Sequence, residues 1–105
     1  MELHGGPVIC CSFIFKPGVY DDDFHRLDAQ IDGFARSLPG FIDVQIWHSD
    51  DGATVNAMYF FADMQAVRQL ATYPQHREAK GQVQRWYDAY RLVISEVTAS
   101  YGDDF

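Results

Sequence analysis

Cysteine is almost missing from this 105-residue chain, and the two that occur, Cys10 and Cys11, are neighbours. Adjacent residues of a strand point to opposite faces, so the pair makes neither a disulfide nor a metal clamp. They read as small buried hydrophobes in a reducing compartment, and the expected location is cytoplasmic. Cations are also scarce. Eight Lys and Arg stand against 15 Asp and Glu, for a net charge of -7. That balance excludes nucleic acid as a partner, because such binding leans on clustered cations and counterion release, and it disfavours an anionic membrane surface. No apolar run reaches the length needed to span a bilayer. Residues 1–7 are short and polar and do not read as a signal peptide. Also missing are a glycine-rich phosphate loop, a Ser-His-Asp signature and any zinc-ligand spacing, so no metal is expected.

What is present is material for a core. Hydrophobic residues make up 48% of the chain and aromatics 15%, enough for one domain over 1–105, with a core at about 8–100 and a loose acidic tail at 101–105. A monomer of this size leaves much of its surface uncovered, so this many large apolar side chains point to a partner.

The run Val8-Ile9-Cys10-Cys11-Ser12-Phe13-Ile14-Phe15 is apolar in both alternating registers and stops at Lys16-Pro17-Gly18, which predicts a central strand. Asp21, Asp22 and Asp23 offer helix caps. Phe24, Leu27, Ile31, Phe34 and Leu38 then recur at three and four spacing, one apolar helical stripe that Pro39-Gly40 ends. Phe41 to Ser49 alternates, with Ile42, Val44 and Ile46 against Asp43, Gln45 and Trp47, and Asp50-Asp51-Gly52 turns it into a return strand over Thr54 to Phe61. Asp63 caps a short helix carrying Val67, Leu70 and Ala71, which Tyr73-Pro74 interrupts. A further helix starts at Pro74 and is expected to carry His76, Ala79, Val83, Trp86 and Tyr90 on one face, with Tyr87 beside it; Leu92 to Ser100 reads as the last strand.

The order strand, helix, strand, strand, helices, strand predicts an α+β, ferredoxin-like βαββαβ fold: an antiparallel four-stranded sheet with helices on one face. Its first and third strands lie in the middle, and both look apolar on both sides. The face without helices needs another cover, and a second copy of the chain is the simplest, giving a homodimeric α/β barrel.

Candidate chemistry gathers at the His76 helix. His76 is the expected catalytic residue, a general base or an axial ligand, and Trp86, Tyr87 and Tyr90 are expected to hold a planar substrate. Asn56, Tyr59 and Trp47 are the further candidate substrate-binding residues. Against this stands the plain reading that apolar helix stripes are core. His25 near Asp21 and Asp22, and the run His48-Ser49-Asp50-Asp51, are read as a solvated helix start and a polar turn rather than cation sites.

The pieces Phe60-Phe61-Ala62-Asp63, Ala66-Val67-Arg68, His76-Arg77-Glu78-Ala79 and Trp86-Tyr87-Asp88-Ala89-Tyr90-Arg91, with Pro39-Gly40-Phe41 before the second strand, resemble the antibiotic biosynthesis monooxygenase family over residues 8–98. The resemblance implies a dimeric α/β barrel and a small cofactor-independent monooxygenase acting on an aromatic or phenolic molecule. The alternative is a non-catalytic barrel that binds a small ligand or haem. Haem is the disfavoured ligand: the positions at which the haem-degrading relatives carry Trp and His fall here at Leu70 and near Lys80, and the first strand offers no Asn.

Overall fold

A computed structural model of the chain describes residues 8–103. The elements are β1 (Val8–Pro17), α1 (Asp22–Ser37), β2 (Phe41–His48), β3 (Val55–Phe61), α2 (Met64–Thr72), α3 (Pro74–Lys80), α4 (Val83–Trp86) and β4 (Tyr87–Val97). The four strands form one antiparallel sheet in the order β2-β3-β1-β4, so the two middle strands are the two expected from their patterning. The expectation about residues 1–7 lies outside the described residues, as does the end of the tail.

The register sorts the sheet into two faces, because side chains alternate along each strand. Ile9, Cys11, Phe13 and Phe15 share one face with Phe61, Tyr59, Ala57 and Val55 of β3 and with Ile94, Leu92 and Tyr90 of β4. The helices lie on this face. Ile9 and Phe61 are buried against Ala35 and Leu38 at the end of α1 and against Ala66 and Val67 of α2. At the other end of α1, Phe24 and Leu27 enclose Trp86. Arg26 pairs with Glu78 at 2.8 Å and Phe34 stacks on Tyr73 at 4.0 Å, tying α3 along α1.

The opposite face is less apolar than its patterning suggests. Val8, Cys10 and Phe60 form a buried cluster at one end, but Ser12, Gln45 and Asn56 occupy the middle. A bulge between Phe41 and Asp43 works the other way. The extra residue turns Ile42 onto the Cys10 and Phe60 side, away from Val44 and Ile46 with which simple alternation groups it.

The largest departure from expectation is at the third helix. The helical spacing that links His76 to Tyr90 is broken: α3 ends at Lys80, Gly81 and Gln82 leave the helical ladder, and α4 is a single turn. Tyr87 to Arg91 belong to β4 and pair with Pro17 back to Ile14. Aromatic residues favour a half-buried strand, and a ladder partner was waiting on β1. Tyr87 and Tyr90 therefore share a face with Phe13, not with His76.

This crossover depends on one glycine. The Gly18 amide donates to the Trp86 carbonyl at 2.7 Å, and a β-carbon on Gly18 would lie 2.8 Å from that same oxygen. Gly18→Ala forces backbone against backbone, which overpacking data place at about 1–3 kcal/mol. Urea unfolding of Gly18→Ala is expected to show that loss, while Gly33→Ala on the exposed side of α1, where nothing lies within 4 Å, shows none.

Candidate functional site

The site expected from the sequence is dispersed over three places. Trp86 is 2% exposed, and its indole Nε1 donates to Asp21 Oδ1 at 3.0 Å, so it serves the core. Asp21 is the N-cap of α1: the same Oδ1 accepts from the Phe24 amide at 2.9 Å and Oδ2 accepts from Arg85 at 2.6 Å. The Phe24 amide, then Trp86 and Arg85, hold the Asp21 carboxyl below the usual carboxylate range. Asn56 and Trp47 are cross-strand partners on the helix-free face. Asn56 Oδ1 is buried there with no donor, and Trp47 Nε1 donates to Gln45 at 3.4 Å. A cavity of about 580 Å³ beside Trp47 is walled by Phe60, Val97, Tyr101 and Asp103. His25 lies edge-on to the Phe24 and Tyr20 rings, and Ser49 and Asp51 bond each other within the hairpin turn.

His76 sits on α3. Its Nδ1 is buried and has no hydrogen-bond partner, and burial, then Lys80, pull its pKa below the ordinary histidine value. The imidazole is therefore neutral at neutral pH, the form that accepts a proton.

Tyr59, Tyr87 and Tyr90 share the helix side of the sheet, spread along β1 from Cys11 to Pro17, and the structure adds two acids that the sequence reading passed over. Asp28 and Asp32 sit four residues apart on α1, beside the apolar stripe. The Tyr59 hydroxyl donates to Asp32 Oδ1 at 2.6 Å, and Arg36 holds Oδ2 at 2.8 Å. Asp28 makes neither hydrogen bond nor ion pair among the described residues, and its charge acts on the phenols of Tyr20, Tyr59 and Tyr87. Burial, with Asp32 adding repulsion, raises Asp28 above the usual carboxylate range; His25 works the other way. Burial is also the main cause of the raised pKa of Tyr59 and of Tyr87, so both hydroxyls stay protonated. It raises the Cys11 thiol to about 11, which makes that thiol inert as a nucleophile.

These groups share the helix side of the sheet with the rows Tyr59-Cys11-Ile94 and Ala57-Phe13-Leu92, and α1 supplies the two acids. Leu92 and Ile94 are 50% and 47% exposed on the side where the helices lie, so β4 is left open there. Tyr87 lies 5.2 Å from Phe13 and 6.1 Å from Tyr20 between ring centres. An apolar floor with one unpartnered carboxyl and several phenols suits a planar molecule with an ionisable proton. Among the described residues no cluster of three or more His, Cys, Asp or Glu could hold a metal. No helix is long and apolar enough to cross a membrane.

The architecture is thus a ferredoxin-like fold. Solved structures of low sequence identity carry it. SnoaB of Streptomyces nogalater, a cofactor-independent oxygenase, superposes in a variant form with a TM-score of 0.73 at 13% identity, covering 91% of this chain and 98% of its own. A dimeric ferredoxin-like protein of unknown function from Thermobifida fusca gives 0.64 at 12% identity, covering 90% and 95%. A conserved protein from Methanosarcina mazei Go1 gives 0.68 at 12%, covering 85% and 91%. No family model matches the sequence, and no curated protein does. The likeness is one of fold.

A raised carboxyl pKa is a stability statement. Above its folded pKa, Asp28 is ionised where the fold disfavours charge, and that cost disappears once pH falls below the unfolded carboxylate value. Asp28→Asn is therefore expected to raise the melting temperature at pH 7, and the gain is expected to vanish by about pH 3. Thermal scans across that range check it; an equal shift at both ends of the range means the charge is not the cause.

Proposed function

We propose that the protein is a small cofactor-independent oxygenase acting on a phenolic aromatic molecule on the helix side of the sheet, between α1 and β4. The observation that carries this reading is the row of Cys11, Phe13, Leu92 and Ile94, left open on the helix side of the sheet, beside which Asp28 of α1 makes no hydrogen bond or ion pair among the described residues. The fold shared with SnoaB supports it.

In this reading the substrate ring lies on Phe13, Cys11 and Leu92, and its hydroxyl faces Asp28. Asp28 takes the phenolic proton, and its raised pKa brings it nearer to working pH and so improves it as an acceptor. The resulting phenolate is electron-rich enough to reduce dioxygen. One oxygen atom bonds to a ring carbon, the C–H proton and the O–O bond are lost, and the other oxygen leaves as water, giving a quinone. Tyr87, held protonated, donates a hydrogen bond to the oxyanion or the forming peroxide. The Tyr59 hydroxyl spends its one proton on Asp32, whose other oxygen Arg36 holds, and so it walls the site instead of donating into it.

His76 is the second candidate for the proton acceptor, on the strength of its neutral ring and its orphan Nδ1. The helix-free sheet face and the dimeric relative of like fold support a homodimer, and the free, unbridged cysteines suit a cytoplasmic setting.

Oxygen consumption measured over a panel of naphthols, anthrones and quinols tests the reading. Asp28→Asn is expected to lower kcat/KM by about 10²–10⁴, the usual worth of a positioned base. Tyr87→Phe is expected to cost about tenfold, consistent with one lost hydrogen bond to a charged group. His76→Ala is expected to leave the rate within about threefold of the parent, well short of a lost base. If His76→Ala abolishes uptake and Asp28→Asn does not, the base moves to α3. If no member of the panel is oxidised, while haemin or a phenol still binds, the protein is a binding module.

A further inference from the structure

The seven residues of α3 are cut off from their neighbours at both ends. Tyr73, in extended backbone, separates α3 from α2, and Gly81 and Gln82 separate it from α4. No side chain caps its N-terminus. A helix this short does not hold itself together in water, so its tertiary contacts decide whether it stays. Toward α1 these are the Arg26–Glu78 ion pair, with both side chains half exposed, the Phe34–Tyr73 stack, and Ala79 packed on Phe24, Leu27 and Trp86. An exposed ion pair is worth little and a ring stack not much more.

His76 lies one turn before Ala79, and both are shielded while Arg77, Glu78 and Lys80 face water. Its Nδ1 is enclosed with no partner. A neutral ring tolerates this, since its proton sits on Nε2 and the bare nitrogen faces apolar atoms. An imidazolium does not, because the second N–H is then a buried, charged donor without an acceptor. No carboxylate offsets it. On α3 the charge that acts on the ring is Lys80, a cation, and the charged residue of α2 is Arg68, another. On α1, Arg26 reaches α3 and is held by Glu78, while Asp28 and Asp32 act on the phenols of the sheet and not on this ring.

We propose that α3 is an acid-released clasp: a proton taken up at His76 Nδ1 frees the helix from α1 and loosens the buried trio Phe24, Leu27 and Trp86, on which Ala79 and Tyr87 both pack. The sign follows from linkage. In the closed form, burial and then Lys80 hold the ring below the ordinary histidine value; released into water, it returns to that value. The open form therefore binds the proton more tightly, and acid favours it as pH falls below about 6.5. None of this requires that the protein be an oxygenase.

Amide hydrogen exchange between about pH 7.5 and 5, corrected for intrinsic exchange, reads the release without any substrate. Protection over residues 75–82 is expected to fall in acid by up to about tenfold per pH unit, the slope of a single proton, while β1 and β3 keep theirs. His76→Gln is expected to hold α3 protected throughout. Lys80→Gln is expected to shrink the acid loss, because without that cation the closed ring takes its proton more readily, and it carries the test if His76→Gln leaves α3 open at neutral pH. Protection that stays constant overturns the proposal, since the ring then turns to water with α3 in place. So does a fall that is equal in His76→Gln and Lys80→Gln to that of the parent, or one that α3 shares with β1 and β3.

Discussion

Asp21 is the point on which the rest of the molecule turns. One carboxylate ends the loop after β1, starts α1, and holds both Arg85 and the indole of Trp86. Because Trp86 is buried and is the last residue before β4, this single cap fixes where the fourth strand begins. Everything functional follows from that register. Shift β4 by one residue and Tyr90, Leu92 and Ile94 leave the helix side, while Arg91 leaves the other, since a one-residue slip exchanges the faces of a strand. The Gly18 amide on the Trp86 carbonyl adds a backbone contact at the same junction, so the start of β4 is held by side chain and main chain together.

With β4 pinned in this way, the edge strand carries different chemistry on its two sides. Toward the helices it offers an apolar floor beside Asp28; away from them it offers Arg91 beside Lys16. The opposite charges are kept apart by the thickness of the sheet. A cation beside Asp28 would pair with it, lower its pKa and take that carboxyl out of use. Asp32 shows that outcome: with Arg36 and Tyr59 as partners it is a positioning group, not a free one.

Much of this was legible in the chain. The doubly apolar β1, the stripe of α1, the Asp63 cap and the placing of β1 and β3 in the middle of the sheet all follow from periodicity and turn chemistry, and the structure agrees. Two things were not legible, for physical reasons. Residues 76 to 90 satisfy helical spacing by coincidence, and only the pairing of Tyr87–Arg91 with β1, a contact between distant segments, decides for strand. Asp28 and Asp32 lie on the border of the apolar stripe, where an acid normally faces water; what makes them different is Tyr59 and Tyr87 arriving from β3 and β4. The available signal was the four-residue spacing of two acids flanking Ile31, which identifies a shared side of a helix but not what lies opposite.

The helix-free face sets the remaining constraint. It is neither apolar enough to read as half of a buried core nor polar enough for bulk solvent, with Phe60 and Cys10 at one end, Ser12, Gln45 and Asn56 in the middle, and cations at the other. Asn56 sharpens the point, because a buried carbonyl oxygen without a donor costs stability until something supplies an N–H or O–H. A second copy laid on this face can supply one from a polar residue of its own middle rows, and the ends of the face, being unlike in charge, then distinguish a matched docking from a slipped one. Polar groups of this kind, placed where an apolar seam would slide, are an established way of fixing a register at some cost in affinity. The acids and phenols of the proposed site lie on the far side of the sheet from that face, so the chemistry proposed for them draws on side chains of one chain.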